Sequence, residues 1–127
     1  MLYFDASALV KLVVREPESD ALRAWLGSRA DIASCTLART EVPRAVRASG
    51  RDSVRRARGL LDAVELIQLD GELLDHAGEL EPPLRSLDAI HLAAALELGD
   101  ELEAVVTYDA RMARGAEALG LPAAAPA

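Results

Sequence analysis

Short apolar runs and stretches of helical period take turns along the chain. Leu2–Phe4 is an apolar run that ends at Asp5 and reads as a short buried strand. Ser7–Val14 carries helix-forming apolar residues and stops before Pro17, whose ring disfavours helical backbone in the residue preceding it. In Glu18–Leu26, Ala21, Leu22, Trp25 and Leu26 share one helical face. Ile32–Ser34 is a second short strand. Thr36 can cap a helix running towards Ser49, with Gly50 as its stop. Pro43 inside that stretch requires the helix either to begin late, with Pro43 in its first turn, or to kink there.

Residues 52–63 form the next helix and lead into a strand at Leu66–Leu69. Gly71–Leu80 is helical up to the break at Pro82 and Pro83. Ser86–Leu98 has the clearest helical pattern, with Leu87, Ile90, Ala94 and Leu98 on one stripe and Gly99 past its end. Ala104–Thr107 is a β-branched strand, Ala110–Leu119 is the last helix, and Leu121–Ala124 can form a closing strand. Strands separated by helices imply a parallel sheet of four to five short strands with helices on both faces, a three-layer α/β sandwich. Such sheets carry their working site at the carboxyl ends of the strands. Asp5 and Asp109 both fall there.

Composition narrows the picture. The chain has 127 residues, the length of one domain spanning 1–127 that can bury a core without disulfides. Hydrophobic residues make up 51% of it but aromatics only 3%, so Leu, Val, Ile and Ala must build the core. Cys35 is the only cysteine, which excludes an intrachain disulfide, and it reads as a small buried side chain beside Ile32 and Ala33. No segment approaches the ~20 apolar residues of a membrane span. The N-terminus lacks the basic start and apolar stretch of a signal peptide, so the expected address is cytoplasmic, with no membrane partner. The net charge of −7 looks unsuited to nucleic acid, but it is unevenly spread. Residues 39–58 hold seven of the fourteen basic residues (Arg39, Arg44, Arg47, Arg51, Arg55, Arg56 and Arg58) against only Glu41 and Asp52. That ridge is either a phosphate-steering surface or a solvated helical face.

Four acids are candidates for chemistry: Asp5, Glu41, Asp88 and Asp109. Each has an ordinary explanation. Asp5 (or Ser7) can cap the first helix and Asp109 the last. Asp88 sits in a first helical turn, where the dipole favours a carboxylate. Glu41 can pair with Arg39 or Arg44. A cap needs only an oxygen, however, and this chain places an acid at both strand ends. It also flanks the other two with apolar neighbours, in Leu87-Asp88-Ala89-Ile90 and Thr40-Glu41-Val42. Four carboxylates in one cleft repel each other and need a cation to ionise together. Oxygen-only ligation suits Mg²⁺ or Mn²⁺, and no Cys/His cluster favours zinc.

The segment Leu2-Tyr3-Phe4-Asp5-Ala6-Ser7-Ala8-Leu9-Val10-Lys11 resembles the opening of PIN domains, in particular VapC-type toxins of bacterial toxin–antitoxin pairs. Thr40-Glu41-Val42 is similar to their helical second motif, and Arg85-Ser86-Leu87-Asp88-Ala89-Ile90-His91 to their third. Val106-Thr107-Tyr108-Asp109-Ala110-Arg111-Met112 is similar to the fourth. The likeness spans nearly the whole chain with the four acids in order. It implies a PIN-like sandwich, Mg²⁺-dependent (or Mn²⁺-dependent) cleavage of RNA, and inhibition by a cognate VapB-type antitoxin. It also assigns metal ligation, direct or through water, to Asp5, Glu41, Asp88 and Asp109, with Ser7 and Thr107 as supporting polar groups.

A cation held by carboxylates lowers the pKa of bound water and neutralises charge on a leaving oxygen, so no histidine is required as base. His91, three residues after Asp88, is spaced so that it can line the cleft, but helix packing or the surface is the favoured expectation, and His76 is expected in solvent. Arg51, Arg55 and Arg58 of the ridge are the expected RNA contacts. Self-association as a homodimer and burial of a helix from the antitoxin are expected through the apolar faces of the early helices, including Leu9, Val13, Leu22 and Trp25. Two other classes compete. A haloacid-dehalogenase-like phosphatase also puts an Asp after its first strand but wants a second two residues later, where this chain has Ser7. A catalytically silent PIN-fold interaction module would keep the fold without cutting.

Overall fold

The computed structural model describes residues 1–127. Side-chain alternation along short strands decides which helices cover which face. In β1 (Leu2–Phe4), Leu2 and Phe4 pack into one apolar cluster and Tyr3 into another. In β2 (Ile32–Cys35), Ile32 joins the first cluster, and Ala33 and Cys35 the second. β3 (Glu65–Ile67), β4 (Ala104–Val106) and β5 (Ala123–Ala124) complete a five-stranded sheet in the order β3-β2-β1-β4-β5. Every pairing is parallel.

The first cluster is covered by α1 (Ala6–Val13), α2 (Ser19–Leu26), α3 (Ala38–Val46) and α4 (Arg51–Ala63). The second lies beneath α5 (Gly71–Glu79), α6 (Ser86–Glu97) and α7 (Ala110–Ala118). Sequence order therefore sorts the helices: the first four on one face, the last three on the other. This is the expected α/β sandwich with helices on both faces, and the closing strand is present. Leu9, Leu22, Leu92, Val42 and Val105 are wholly buried. Truncating one such leucine to alanine costs about 2–5 kcal/mol.

Several expectations change. The early-helix association surface is one. Leu9, Val13 and Leu22 are buried in the core, and only Trp25, at 45% exposure, remains on the surface. The amphipathic face of a helix covering a sheet is spent on that sheet. Thr36 does not cap α3, whose N-cap is Leu37 without a side-chain bond. The helix starts at Ala38 and runs through Pro43, which thus lies in the second turn and not the first. A 3-10 turn (Arg47–Ser49) follows, and Gly50, at φ +101°, makes the break that a side chain would resist. In α6 the expected stripe holds at Ala94, which is buried, and at Ile90 and Leu98, which pack against the second cluster, but fails at Leu87, which is 51% exposed; Asp88, His91, Leu92 and Ala95 are buried as well. A helix apolar on most sides has no period from which to choose a face. Cys35 is buried and His76 is exposed, both as expected.

The strand order reverses between β1 and β4: β1 continues through β2 to β3, whereas β4 continues to β5. Loops leaving the carboxyl ends of β1 and β4 diverge to opposite faces and leave a crevice between them.

Candidate active site

Asp5 leaves β1 and Thr107 leaves β4 side by side, because Phe4 pairs with Val106 and the Asp5 N–H donates to the Val106 carbonyl. Thr107 Oγ1 donates to Asp5 Oδ2 at 2.5 Å and accepts from the Asp109 N–H at 3.0 Å. Ser7 Oγ donates to Asp5 Oδ1 at 2.6 Å and accepts from the Tyr108 N–H at 2.9 Å. The two hydroxyls thus knit the first turn of α1 to the end of β4. Asp5 Oδ1 also accepts the Ala8 N–H at 3.1 Å, so Asp5 is the helix cap as well. The carboxylate is only 3% exposed. Burial pushes its pKa up, against the Ser7, Thr107 and Ala8 donors, which favour the ionised form.

Asp109 caps α7, its Oδ1 accepting from the N–H groups of Arg111 (2.9 Å) and Met112 (3.4 Å). Asp88 enters from the first turn of α6 and is 7% exposed. Glu41 reaches in from α3 on the other face and meets His91 Nε2 at 2.7 Å. Asp5, Glu41, Asp88 and Asp109 line one cleft of about 300 Å³, with Ser7, Arg85, Leu87, His91, Arg111 and Met112. Capping and cleft-lining are therefore not alternatives; Asp5 and Asp109 do both.

Two arginines that the sequence reading passed over belong to this cleft. Arg111 Nε stands 3.3 Å from Asp88 Oδ2, and its Nη2 lies 3.8 Å from Asp109 Oδ2. The spacing Asp109-Ala110-Arg111, at the first turn of a helix whose cap lines the cleft, was the available signal. Arg85 is the N-cap residue of α6. By contrast Arg51, Arg55 and Arg58 are exposed on α4 and none lines the acid cleft. Arg55 pairs with Asp52, and Arg58 borders a separate hollow with Pro43, Arg44, Arg47 and Val54.

His91 packs in the core, as expected, and also lines the cleft. Its i, i+3 spacing from Asp88 puts both on one face of α6. Burial opposes a charged imidazole there, but the neighbouring Cys35 thiol and Glu41 carboxylate favour it more, and its pKa is raised.

A hard divalent cation fits the donor set, which is carboxylate oxygen. Asp88 Oδ2 is buried and makes no hydrogen bond, its charged neighbour being Arg111 Nε at 3.3 Å, so the oxygen keeps lone pairs that a divalent cation would satisfy. No three His, Cys, Asp or Glu side chains already converge on one point. Arg111 is instead the positive charge beside Asp88 and Asp109.

This plan defines a doubly wound α/β protein with an acidic cleft at its switch point. The PIN domain family matches residues 2–118. The ribonuclease VapC46 of Mycobacterium tuberculosis (strain ATCC 25618 / H37Rv) is 48% identical over 98% of this chain and 97% of its own. The ribonuclease VapC47 of the CDC 1551 / Oshkosh strain is 44% identical over 99% and 97%. The crystal structure of Mycobacterium tuberculosis VapC20, a toxin described as cleaving the sarcin-ricin loop, superposes with a TM-score of 0.75. It covers 95% of this chain and 96% of that one, at 15% identity, and so speaks for the fold. The chain belongs to the PIN-domain family, among its VapC-type members. Membership displaces the haloacid-dehalogenase-like reading. No helix is long and apolar enough to cross a membrane.

Proposed function

We propose that this chain, acting over residues 1–127 as a single PIN domain, is a cytoplasmic Mg²⁺- or Mn²⁺-dependent endoribonuclease toxin held in check by a VapB-type antitoxin. The single observation that carries the reading is that Asp5, Glu41, Asp88 and Asp109 all line one cleft at the β1/β4 switch point. Kinship with proteins named as ribonucleases over nearly their full length supports the activity.

Asp5, Glu41, Asp88 and Asp109 would hold the cation, directly or through water. When bound, it supplies Lewis acidity towards water and the phosphodiester. The protein's own contribution is order. Ser7 and Thr107 lock both oxygens of Asp5, leaving the carboxylate one orientation. Asp109 is held by the first turn of α7. Arg85 and Arg111 give the acidic cleft two cations able to meet a phosphate. The exposed arginines of α4 are the proposed longer-range attraction for RNA, through Arg51, Arg55 and Arg58. A homodimer and a bound antitoxin complete the proposed assembly.

Incubation of the purified chain with RNA tests this. Cleavage should require Mn²⁺ or Mg²⁺, be lost with EDTA, and be lost in Asp5→Asn. An inactive wild type under all metal conditions leaves the silent interaction module as the reading; an active Asp5→Asn removes Asp5 from the site.

A further inference from the structure

One buried network in the cleft is not explained by fold or by ligation. His91 is 2% exposed and Tyr3 is wholly buried. The Tyr3 hydroxyl lies 2.8 Å from His91 Nδ1, and His91 Nε2 lies 2.7 Å from Glu41 Oε1. The rings meet edge to face, with centroids 5.9 Å apart and an interplanar angle of 73°. Cys35 Sγ adds a weaker neighbour at 3.6 Å from Nδ1.

Where Glu41 is a carboxylate it only accepts, so Nε2 then carries a proton and donates to it. With a neutral imidazole, Nδ1 then accepts the Tyr3 O–H; with a charged one, Nδ1–H donates to the Tyr3 oxygen or the Cys35 sulfur. Both states deliver the same Nε2–H to the same carboxylate oxygen. The hold on Glu41 is therefore independent of the charge on His91.

Glu41 needs such a hold. It stands on α3, over one face of the sheet, and its side chain has three torsions and is 24% exposed. His91 stands on α6, over the opposite face. Their contact clasps the two helical layers just beyond the strand ends. It engages Oε1 and no other hydrogen bond is made by Oε2. His91 lies one turn after Asp88 on the same helix, so α6 contributes one acid and anchors a second.

We infer that His91, seated on Tyr3, is a positioning residue that fixes Glu41 in the acid cleft. The inference rests on the metal-dependent ribonuclease reading. Partners that orient metal-binding side chains typically cost roughly 10–100-fold in metal affinity or activity when lost. His91→Phe keeps a buried ring and removes the donor, whereas His91→Gln keeps an N–H that can reach Glu41.

The test combines Mn²⁺ titration by calorimetry, without RNA, with kcat and KM on an RNA oligonucleotide. His91→Phe should weaken Mn²⁺ binding at least about tenfold. It should lower kcat similarly and leave KM nearly unchanged, while His91→Gln recovers most of both. In a Glu41→Gln background, His91→Phe should add little further loss, because the group it positions is already gone. If His91→Phe does not fold, Tyr3→Phe removes one oxygen and should weaken Mn²⁺ binding severalfold. An active wild type whose folded His91→Phe or Tyr3→Phe form binds Mn²⁺ normally overturns this inference alone, as do losses additive with Glu41→Gln. A wild type that neither binds Mn²⁺ nor cuts RNA sinks the ribonuclease reading and this inference with it.

Discussion

Arg111 faces Asp88 across 3.3 Å with the Nε of one and the Oδ2 of the other both buried and neither in a well-formed hydrogen bond. The guanidinium also lies near Asp109. It serves as an internal counter-cation, softening repulsion among acids whose own geometry offers no converged three-ligand site. The same charge should compete with any cation that enters.

Replacing Arg111 with Gln should therefore separate stability from metal affinity. Without metal, the variant should melt below wild type, by an amount of about 1 kcal/mol because the arginine is 41% exposed and solvent screens the pair. Mn²⁺ should bind the variant more tightly. Differential scanning with and without Mn²⁺ measures both; affinity that is unchanged or weaker would show that Arg111 does not compete for the site.

Asp109→Asn keeps an oxygen for the α7 N-cap while removing a charge from the cleft. Metal-free, the variant should melt at or above wild type near neutral pH, and only slightly above, since Arg111 already offsets part of the repulsion. At a hundredfold excess of Mn²⁺ over Kd, wild type should gain about 2.7 kcal/mol and the variant much less. Equal shifts at matched ionic strength would take Asp109 out of the site.

Expression of the chain alone in a bacterium should arrest growth. Asp88→Asn should relieve the arrest at equal protein level, because it removes the charge of a buried acid that lines the proposed metal cleft. Continued arrest by the variant would point away from catalysis in this cleft. Co-expression with a small antitoxin should suppress arrest by the wild type and yield a complex that co-purifies.

The α4 ridge gives a separable outcome. Arg51, Arg55 and Arg58 are exposed and lie outside the acid cleft, so triple replacement with Ala should leave Mn²⁺ binding intact. RNA binding should weaken, and each lost phosphate contact should lower the salt slope by roughly 0.7–0.9. An unaltered slope would make the ridge a solvated face or a partner surface.

Much of the site was legible because its parts are local. Asp5 and Asp109 each follow a strand and open a helix, and both duties are written into a few consecutive residues. Ser7 and Thr107 travel with them in the same short motifs. Apolar runs and helical periods likewise marked all five strands and most helix bounds, since burial on both faces makes a central strand a continuous apolar run and burial of a helix face imposes a period of 3.6. What the sequence by itself determined is which residues leave strand ends carrying acids.

Tertiary structure decided the rest, because those contacts join residues that no periodicity relates. Thr107 reaches Asp5 across 102 positions, and only the pairing of β1 with β4 makes them neighbours. His91 meets Glu41 across 50 positions and between opposite faces of the sheet. In α6, apolar side chains on most sides left the buried face undetermined until α5 and the sheet packed against it and turned Asp88 and His91 inward. Leu9, Val13 and Leu22 look the same in sequence whether they face a partner or a core, and the sheet beneath α1 and α2 claimed them. Which cations stand in the cleft followed from that packing too: Arg111 and Arg85 line it, while the richer run of arginines on α4 stays outside.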